Sequence, residues 1–249
     1  MIVLRSRREI EKIRKACLVV AEILERVKEH IQPGATTWDL NVLSEELSIK
    51  HGAKPAFKGY HGFPYALCTS VNEEVVHGMP SKSRHLKTGD IVSLDFGVVI
   101  DGYYGDSAVT VPVGKISEIA RRLCAVTEEA LSRGINQAVL GNRLSDISHS
   151  IQAYVEGYGY SVVREFVGHG IGQHLHESPQ IPNYGPPGKG IKLKAGMVFA
   201  IEPMINEGTP DVQILDDQWT AVTIDGKLSA HFEHTMAVTE NGPDILSRL

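Results

Sequence analysis

The chain contains an internal repeat, and each copy includes a strand-like segment that ends in a carboxylate. Residues 86–95 read LKTGDIVSLD and residues 193–202 read LKAGMVFAIE, which places Asp95 and Glu202 107 positions apart. The same offset superposes four further pairs: Cys17 on Cys124, Gly34 on Gly141, Asp39 on Asp146 and Gly52 on Gly159. One register held over so much of the chain indicates a single domain, residues 1–249, built from two similar α+β halves at about 5–112 and 113–240.

Composition and charge exclude several classes of protein. The 249 residues carry a net charge of −5, with a pI near 6.1 and no basic run, so neither nucleic acid nor an anionic membrane is expected as the primary ligand. Three cysteines are too few for a disulfide framework or a cysteine-based zinc site. The apolar stretches are too short to span a membrane, and the N-terminus leads into a charged helix without a signal peptide. We therefore expect a cytoplasmic protein.

Helices and strands are predicted in the same order in both halves. Ser6 and Glu9 have the spacing of a capping box, and apolar residues follow at helical period until Pro33-Gly34 ends the helix. Three more helices are predicted, from 36 or 37 to before 52, at about 117–133 and at about 145–157. Strands are predicted at 91–100, 103–111, 197–205, 212–224 and 228–238. Asp101-Gly102 and Asp225-Gly226 predict type I′ turns, and residues 182–190 predict a loop.

The first hairpin brings two aspartates to one face of the sheet. A two-residue turn at 101–102 places Gly97 opposite Asp106. Asp95 and Asp106 are then diagonal neighbours, about 7–8 Å apart by the backbone, and Gly97 leaves room for an ion. Paired aspartates at a hairpin are often solvated turn residues, but the apolar residues around these two favour a buried, functional pair.

Other acidic and histidine residues lie on further predicted strands. Glu202 follows a buried strand, where burial of a carboxylate that binds nothing is energetically unfavourable. In residues 231–235, HFEHT, strand alternation puts His231 and Glu233 on one face. His234 lies on the other face, and we interpret it as an ordinary hydrogen-bonded histidine.

The segment 168–176, GHGIGQHLH, has glycines that allow the backbone to approach a site closely. Its three histidines could form a zinc triad by themselves. His174 and His176 fall at strand spacing while His169 is offset, which favours separate roles.

Together these residues form a candidate ligand set of four carboxylates and one imidazole: Asp95, Asp106, Glu202, Glu233 and His169. The four negative charges would be balanced by two divalent ions. Paired ions in such sites lie about 3.5–4 Å apart and lower the pKa of bound water from 15.7 towards about 7. Oxygen ligands with one imidazole suit manganese, iron(II) or cobalt at least as well as zinc, and the spacing does not choose among them.

On a duplicated scaffold and in this order, the residues resemble the methionine aminopeptidase family of the pita-bread fold. The motifs are SVNEEVVHGMP at 70–80, DFG at 95–97, GDS at 105–107, GHGIG at 168–172, IEP at 201–203 and FEHT at 232–235. The match covers essentially the whole chain. The long N-terminal domain of X-Pro peptidases is not expected, and Glu202 and Glu233 are only 31 residues apart, without the insertion of type II enzymes. The chain is thus similar to the compact, bacterial type I form.

The resemblance implies a fold and a set of ligand roles. The fold would be α+β, with two pseudo-symmetric halves of antiparallel strands flanked by helix pairs and a dinuclear metal site at their interface. Asp106 and Glu233 would bridge both ions, Asp95 would bind one, and His169 with Glu202 would complete the other. A water or hydroxide between the ions would be the nucleophile, with Glu202 as its general base.

The resemblance also implies residues that contact the substrate. His77 would meet the nitrogen side of the scissile peptide, and His176 would donate to its carbonyl oxygen as negative charge develops there. The methionine pocket would be formed by five further residues, Tyr60, His61, Phe63, Cys68 and Trp219. Without the resemblance, Tyr60, Phe63 and Trp219 would be interpreted as core residues. Phe57 stands where a cysteine can occur in bacterial members, and Leu175 where an aromatic residue is common, which leaves the shape of the pocket open.

The expected function is removal of the initiator methionine from nascent proteins, with preference for a small second residue. The cofactors would be two divalent ions, cobalt, manganese, iron(II) or zinc. The partners would be the N-terminal methionine of nascent chains and the ribosome near its exit tunnel, and we expect a monomer. One alternative is an X-Pro dipeptidase on the same scaffold, and a second is a peptide-binding or ribosome-associated adaptor that has lost catalysis. The presence of all five ligands disfavours the adaptor.

Overall fold

The computed structural model describes residues 2–249. In this range the chain forms four α-helices, α1 Arg7–Lys28, α2 Thr37–Lys50, α3 Glu118–Asn136 and α4 Leu144–Gly157. The strands are β1 Lys54–Pro55, β2 Leu67–Val71, β3 Glu74–Val76, β4 Ile91–Ile100, β5 Tyr103–Pro112, β6 Ser161–Val162, β7 Gly168–Gly170, β8 Glu177–Ile181, β9 Val198–Ile201, β10 Met204–Asn206, β11 Val212–Ile214, β12 Ala221–Thr223, β13 Ser229–His231, β14 Glu233–Thr239 and β15 Gly242–Ile245. None of these helices is both long enough and apolar enough to cross a lipid bilayer.

Capping boxes begin the first two helices near the predicted residues. The Ser6 amide donates to Glu9 Oε2 at 2.8 Å, and the Glu9 amide donates to Ser6 Oγ at 3.4 Å. Thr36 and Asp39 make the same pair of bonds at 3.2 and 3.1 Å. Helix α1 ends at Lys28, earlier than the predicted stop at Pro33-Gly34, because the chain tightens into i→i+3 bonds at the next residues.

Local contacts recur at the offset of the sequence repeat. Thr36 forms a β-bridge with His85, and Arg143 forms the equivalent bridge with Lys192. Asp146 accepts from the Arg143 amide at 2.7 Å, as Asp39 accepts from Thr36 in the first half. The entry to the second helix of each half is therefore built in the same way.

One nine-stranded antiparallel sheet joins the two halves. Its order is β1-β4-β5-β14-β9-β7-β8, with β2 also paired to β4 and β15 to β14. Two three-stranded sheets, β13-β10-β6 and β11-β12-β3, complete the fold. Within the large sheet, the first half meets the second where β5 pairs with β14.

The helices cover one face of the large sheet and leave the other to the carboxylates. Leu94 and Phe96 of β4 belong to an apolar cluster with Val20 and Leu24 of α1. Asp95 lies between them, so strand alternation turns its side chain to the opposite face. In the second half a separate cluster joins β9 and β14 to α3 and α4.

Three predicted strands are wrong as continuous elements. The segment 197–205 breaks into β9 and β10 at Glu202-Pro203, since proline has no amide hydrogen for the ladder. The segment 228–238 breaks into β13 and β14 at Phe232. At both breaks the chain passes from one sheet to another. Strands β9 and β14 pair in the large sheet, while β10 and β13 pair in a small one.

The third segment, 212–224, is a hairpin of β11 and β12. The Asp217 carboxylate accepts from the Trp219 and Thr220 amides, both at 2.8 Å, and this local turn separates the two strands.

The two predicted I′ turns differ in outcome. Asp101 and Gly102 both have positive φ, 51° and 78°, and the register Gly97↔Asp106 is confirmed. At Asp225-Gly226 only the glycine has positive φ, 70°, and this pair lies in a longer connection between β12 and β13. The prediction of a second I′ hairpin is therefore wrong.

Candidate active site

A cavity of about 200 Å³ opens on the carboxylate face of the large sheet. The residues predicted for the site all line it, together with Phe57 and Leu175: Tyr60, His61, Phe63, Cys68, His77, Asp95, Asp106, His169, His176, Glu202, Trp219 and Glu233. The cavity thus brings together groups that the sequence separates by more than 150 residues.

The first hairpin supplies two of the carboxylates. Asp95 of β4 and Asp106 of β5 share one face, and Gly97 is the cross-strand partner of Asp106. A Cβ on Gly97 would lie 3.2 Å from Asp106 Oδ1 and 2.9 Å from Phe57 Cε1. The absence of a side chain at residue 97 therefore keeps the space beside Asp106 open.

The second half supplies the remaining candidate ligands. One ligating atom each of Asp106, His169 and Glu233 lie within 4.8 Å of one another, a spacing suited to a shared metal ion. Glu202 Oε1 lies 3.3 Å from His169 Nε2, which joins Glu202 to this group. Asp95 lines the same cavity, although it lies outside the tight group of three.

The carboxylates lack the charge balance that burial requires. Burial raises the pKa of Asp95 to about 7, and burial together with the neighbouring negative charges raises the pKa values of Asp106, Glu202 and Glu233 well above their ordinary range. Among the described residues, no donor reaches Asp95 Oδ1, Asp106 Oδ1 or Glu233 Oε1, and all three oxygens are enclosed. Divalent cations would supply both the positive charge and the bonds that these oxygens lack, so the donor set fits them.

The ring of His169 presents Nε2 to the carboxylates. Its Nδ1 lies 3.0 Å from the Gly170 carbonyl oxygen, so a proton on Nδ1 donates there and leaves the Nε2 lone pair facing the carboxylates. Burial lowers the pKa of His169 to about 3, which keeps the imidazole neutral.

Two more histidines lie beside the carboxylate group. His176 Nδ1 is 2.9 Å from the Tyr60 hydroxyl oxygen, and its ring meets that of His169 edge-on with centroids 4.3 Å apart. His77 packs edge-on against Phe166 at 5.2 Å, and burial lowers its pKa to about 4. Burial also lowers the pKa of His176.

An aromatic wall continues the cavity away from the carboxylates. The rings of Phe63 and Trp219 meet edge-on at 5.1 Å, and those of Tyr60 and His61 at 4.4 Å. Cys68 is buried, and burial raises the pKa of its thiol well above the ordinary value, which keeps it neutral. This part of the cavity is suited to an uncharged, polarisable side chain.

The positions of His174 and His234 decide between their possible roles as metal ligands and as ordinary histidines. His174 is exposed and does not line the cavity, so His169, His174 and His176 do not form a zinc triad. His234 faces away, and its Nδ1 lies 2.8 Å from Ser247 Oγ, which confirms the interpretation as an ordinary hydrogen-bonded histidine.

Two residues beside Glu202 were not predicted from the sequence to contribute to the site. His231 was placed on the face of Glu233 without a role, yet its Nε2 lies 3.8 Å from Glu202 Oε2. Asn183 Nδ2 donates to the Glu202 carbonyl oxygen at 3.0 Å, although it lies in a segment predicted only as a loop. The alternation of His231 with Glu233 was a usable signal, whereas nothing local marks Asn183.

Comparison with known proteins gives the family. Residues 11–240 match the model of metallopeptidase family M24. Methionine aminopeptidase 1 from Bacillus subtilis is 56% identical over 249 residues, covering 100% of both chains. The crystal structure of methionine aminopeptidase from Thermotoga maritima, 52% identical, superposes with a TM-score of 0.99 over 100% of both chains.

A more distant structure shows the same fold with a different activity. Prolidase from Pyrococcus furiosus is 26% identical with a TM-score of 0.79, and the match covers 99% of this chain but 66% of the prolidase. The curled antiparallel sheet with its two helix pairs is thus the pita-bread fold, shared by both kinds of peptidase. The full-length agreement with the methionine aminopeptidases, in sequence as well as in structure, shows that the chain belongs to metallopeptidase family M24 and groups with its type I enzymes.

Proposed function

We propose that this hydrolase removes the N-terminal methionine from nascent proteins and peptides, with preference for a small second residue. The observation that carries the proposal is one cavity with two chemically different ends. Ligating atoms of Asp106, His169 and Glu233 cluster within 4.8 Å at one end, and Phe63 and Trp219 line the other. The relatives named methionine aminopeptidase support the same activity.

Two divalent metal ions, cobalt, manganese, iron(II) or zinc, would be held by Asp95, Asp106, His169, Glu202 and Glu233. The enclosed, unpartnered carboxylate oxygens and their raised pKa values support this assignment. When bound, such ions lower the pKa of water and polarise a carbonyl group.

Glu202 would act as the general base that takes the proton of the attacking water. Its backbone carbonyl is held by Asn183, and Pro203 follows it, so the residue has little freedom to move away from the cavity. A carboxylate that is fixed within reach of the attacking water provides efficient proton transfer.

His176 and His77 would act on either side of the scissile peptide. A Tyr60 hydroxyl that donates to His176 Nδ1 leaves the proton on Nε2, which can then donate to the carbonyl oxygen as charge develops there. His77, neutral because of its burial, would meet the nitrogen side.

The aromatic end of the cavity would hold the methionine side chain. Thioether sulfur interacts favourably with aromatic rings, by about 0.3–1.5 kcal/mol per contact, and Tyr60, Phe63 and Trp219 line this end of the cavity together with His61 and the uncharged thiol of Cys68. Next to the scissile bond, the edge-on pair of His77 and Phe166 would narrow the space and favour a small second residue.

A peptide panel tests the activity against its main alternative. The metal-loaded protein is assayed with Met-Gly-Met, Met-Ala-Ser, Met-Leu-Ser and Gly-Pro. We expect methionine release from the first two, much slower release from Met-Leu-Ser and no cleavage of Gly-Pro. Preferential cleavage of Gly-Pro would establish the X-Pro dipeptidase instead.

Metal removal tests the chemistry. EDTA should abolish turnover, and added manganese or cobalt should restore it, with metal content measured by mass spectrometry on the same samples. Turnover that survives complete removal of metal would contradict the proposed ligand set. Absence of turnover under all metal conditions would favour an adaptor that has lost catalysis.

The proposed substrate indicates where the protein would act: in the cytoplasm, on chains that leave the ribosome near its exit tunnel. The protein would be a monomer. Its one catalytic domain would be made of the repeats at about 5–112 and 113–240. Co-sedimentation with translating ribosomes and light scattering of the purified protein test the partner and the oligomeric state.

A further inference from the structure

We infer that His231 is a positioning residue of the active site, which donates a hydrogen bond from Nε2 to Glu202 Oε2 and thereby fixes the orientation of the Glu202 carboxylate. The inference rests on the proposed role of Glu202 as metal ligand and general base. It gives a function to an imidazole that the ligand set and the substrate contacts leave unused.

The first observation is that His231 is buried without a partner. The residue is 1% exposed, and neither Nδ1 nor Nε2 has a hydrogen-bond partner among the described residues. A buried imidazole without hydrogen bonds is unfavourable, so its polar atoms are expected to have a use in the working state of the protein. A polar atom close to the ring is Glu202 Oε2, 3.8 Å from Nε2.

The second observation is that the two oxygens of Glu202 have different neighbours. Oε1 lies 3.3 Å from His169 Nε2, and Oε2 lies towards His231. A displacement of about 0.8 Å brings the second pair within normal hydrogen-bond distance. Oε1 would then remain with the ligand group while Oε2 is held by His231, so the carboxylate cannot rotate freely.

The third observation is that the backbone of His231 is fixed. The His231 amide donates to Thr110 Oγ1 at 2.9 Å, and the same hydroxyl donates to the His231 carbonyl oxygen at 2.8 Å. His231 is also the cross-strand partner of Met204, which lies just beyond the break at Glu202-Pro203. The imidazole is therefore supported from the first half of the chain and placed beside Glu202 by the second.

Three variants test this role in the full-length protein. His231→Leu removes the donor at similar volume, His231→Gln retains an N–H donor of similar reach, and His234→Leu is the matched control on the opposite face of the neighbouring strand. For each we would measure kcat and KM for Met-Gly-Met, and the affinity of the metal-free protein for manganese by calorimetry. Loss of a hydrogen bond that orients a metal ligand usually costs about 10–100-fold in metal affinity or activity.

We expect His231→Leu to lower both kcat and manganese affinity by about 10–100-fold, with little change in KM. His231→Gln should recover most of both quantities, and His234→Leu should retain kcat within about twofold. Normal kcat and manganese affinity in a folded His231→Leu protein would overturn the inference, and so would a His231→Gln variant as impaired as His231→Leu.

A spectroscopic measurement on the intact side chain decides the case if His231→Leu does not fold. In zinc-loaded protein labelled with ¹⁵N-histidine, we expect the proton on His231 Nε2 to exchange slowly with water and to resonate downfield. In Glu202→Gln protein saturated with zinc, we expect this resonance to return upfield. A proton on Nδ1, or an identical Nε2 shift in both proteins, would overturn the inference. Failure of the proposed function is recognised separately, since the wild-type protein would then not cleave Met-Gly-Met.

Discussion

At the scale of single residues, the carboxylates of the site are held by their backbones. In three cases a buried donor side chain binds the carbonyl oxygen of the acidic residue: Thr235 for Asp106 (2.8 Å), Ser107 for Glu233 (2.7 Å) and Asn183 for Glu202 (3.0 Å). These contacts use the backbone and leave the carboxylate oxygens free. The carboxylate oxygens are therefore available to bind cations.

Glu202→Gln tests the general base. The amide retains the size of the side chain but cannot take a proton, so we expect kcat to fall by about 100- to 10,000-fold. The melting temperature should change little, because the amide has nearly the same volume as the carboxylate and its oxygen can still accept a hydrogen bond from His231. Stopped-time assays with Met-Gly-Met at saturating manganese, together with calorimetric unfolding, provide the measurement. Glu207→Gln is the control, and a Glu202→Gln protein with most of its turnover would exclude the role.

His176→Ala tests stabilisation of the developing oxyanion. The interaction strengthens only as charge develops, so kcat should fall by about 100-fold while KM changes by less than about threefold. Tyr60→Phe, which removes the hydroxyl 2.9 Å from His176 Nδ1, should have a smaller effect in the same direction. A change confined to KM would show that His176 only binds the substrate.

At the scale of elements, the N-terminal segment holds the loop that carries His176. The Arg5 guanidinium donates to both oxygens of Glu177, at 2.6 and 2.5 Å, and its side chain is only 4% exposed. Glu177 Oε1 also accepts from the Gln173 and His174 amides, at 2.8 and 3.0 Å. Arg5 thus fixes Glu177, 172 positions away in sequence, and Glu177 is the residue next to His176, a predicted catalytic histidine.

Arg5→Ala should destabilise the protein strongly. Removal of one partner leaves the carboxylate of Glu177 uncompensated in a largely buried place, at a cost of about 3 kcal/mol in the free energy of unfolding. Lys15→Ala is the matched control, because the Lys15–Asp101 pair is exposed and such pairs contribute less than about 1 kcal/mol. Urea denaturation of both variants gives the comparison, and equal losses would show that burial of the Arg5 pair has no special value.

At the scale of the whole molecule, four acidic side chains converge between the two halves, and their titration links stability to pH. In the metal-free protein, burial raises the pKa values of Asp106, Glu202 and Glu233 well above those of an unfolded chain, so the folded state binds more protons. Stability then falls as pH rises. From pH 7 upwards the buried histidines oppose this only weakly, because an unfolded histidine, with a pKa of about 6.5, is then already mostly neutral, as the folded ones are.

We therefore expect the free energy of unfolding of the metal-free protein to decrease between pH 7 and 9. The slope is at most about 1.4 kcal/mol per pH unit for each carboxyl group that still holds its proton. Bound manganese should remove this slope, because the carboxylates are then already ionised. Urea denaturation with EDTA or with manganese under nitrogen tests both statements. A stability that rises with pH in EDTA, or a slope unchanged by manganese, would contradict them.

Much of the fold was predictable where the pattern is local. The capping box at Ser6 and the predicted start at 36 or 37 marked two helix starts to within a residue, and the turn at Asp101-Gly102 predicted the register that places Gly97 opposite Asp106. The breaks at Glu202-Pro203 and Phe232 were missed. Pro203 is a local signal for the first break, whereas nothing local marks the second, where the chain changes sheets because β14 pairs with β9 while β13 pairs with β10.

The sequence by itself determined which groups are available and on which strand faces the acidic ones lie, since side-chain alternation and two-residue turns depend only on neighbouring residues. Only the tertiary structure decided that Arg5 binds Glu177, 172 positions away, and that His231 lies beside Glu202. Such contacts have no period along the chain. They arise from the packing of one half against the other, which no short segment of this sequence encodes.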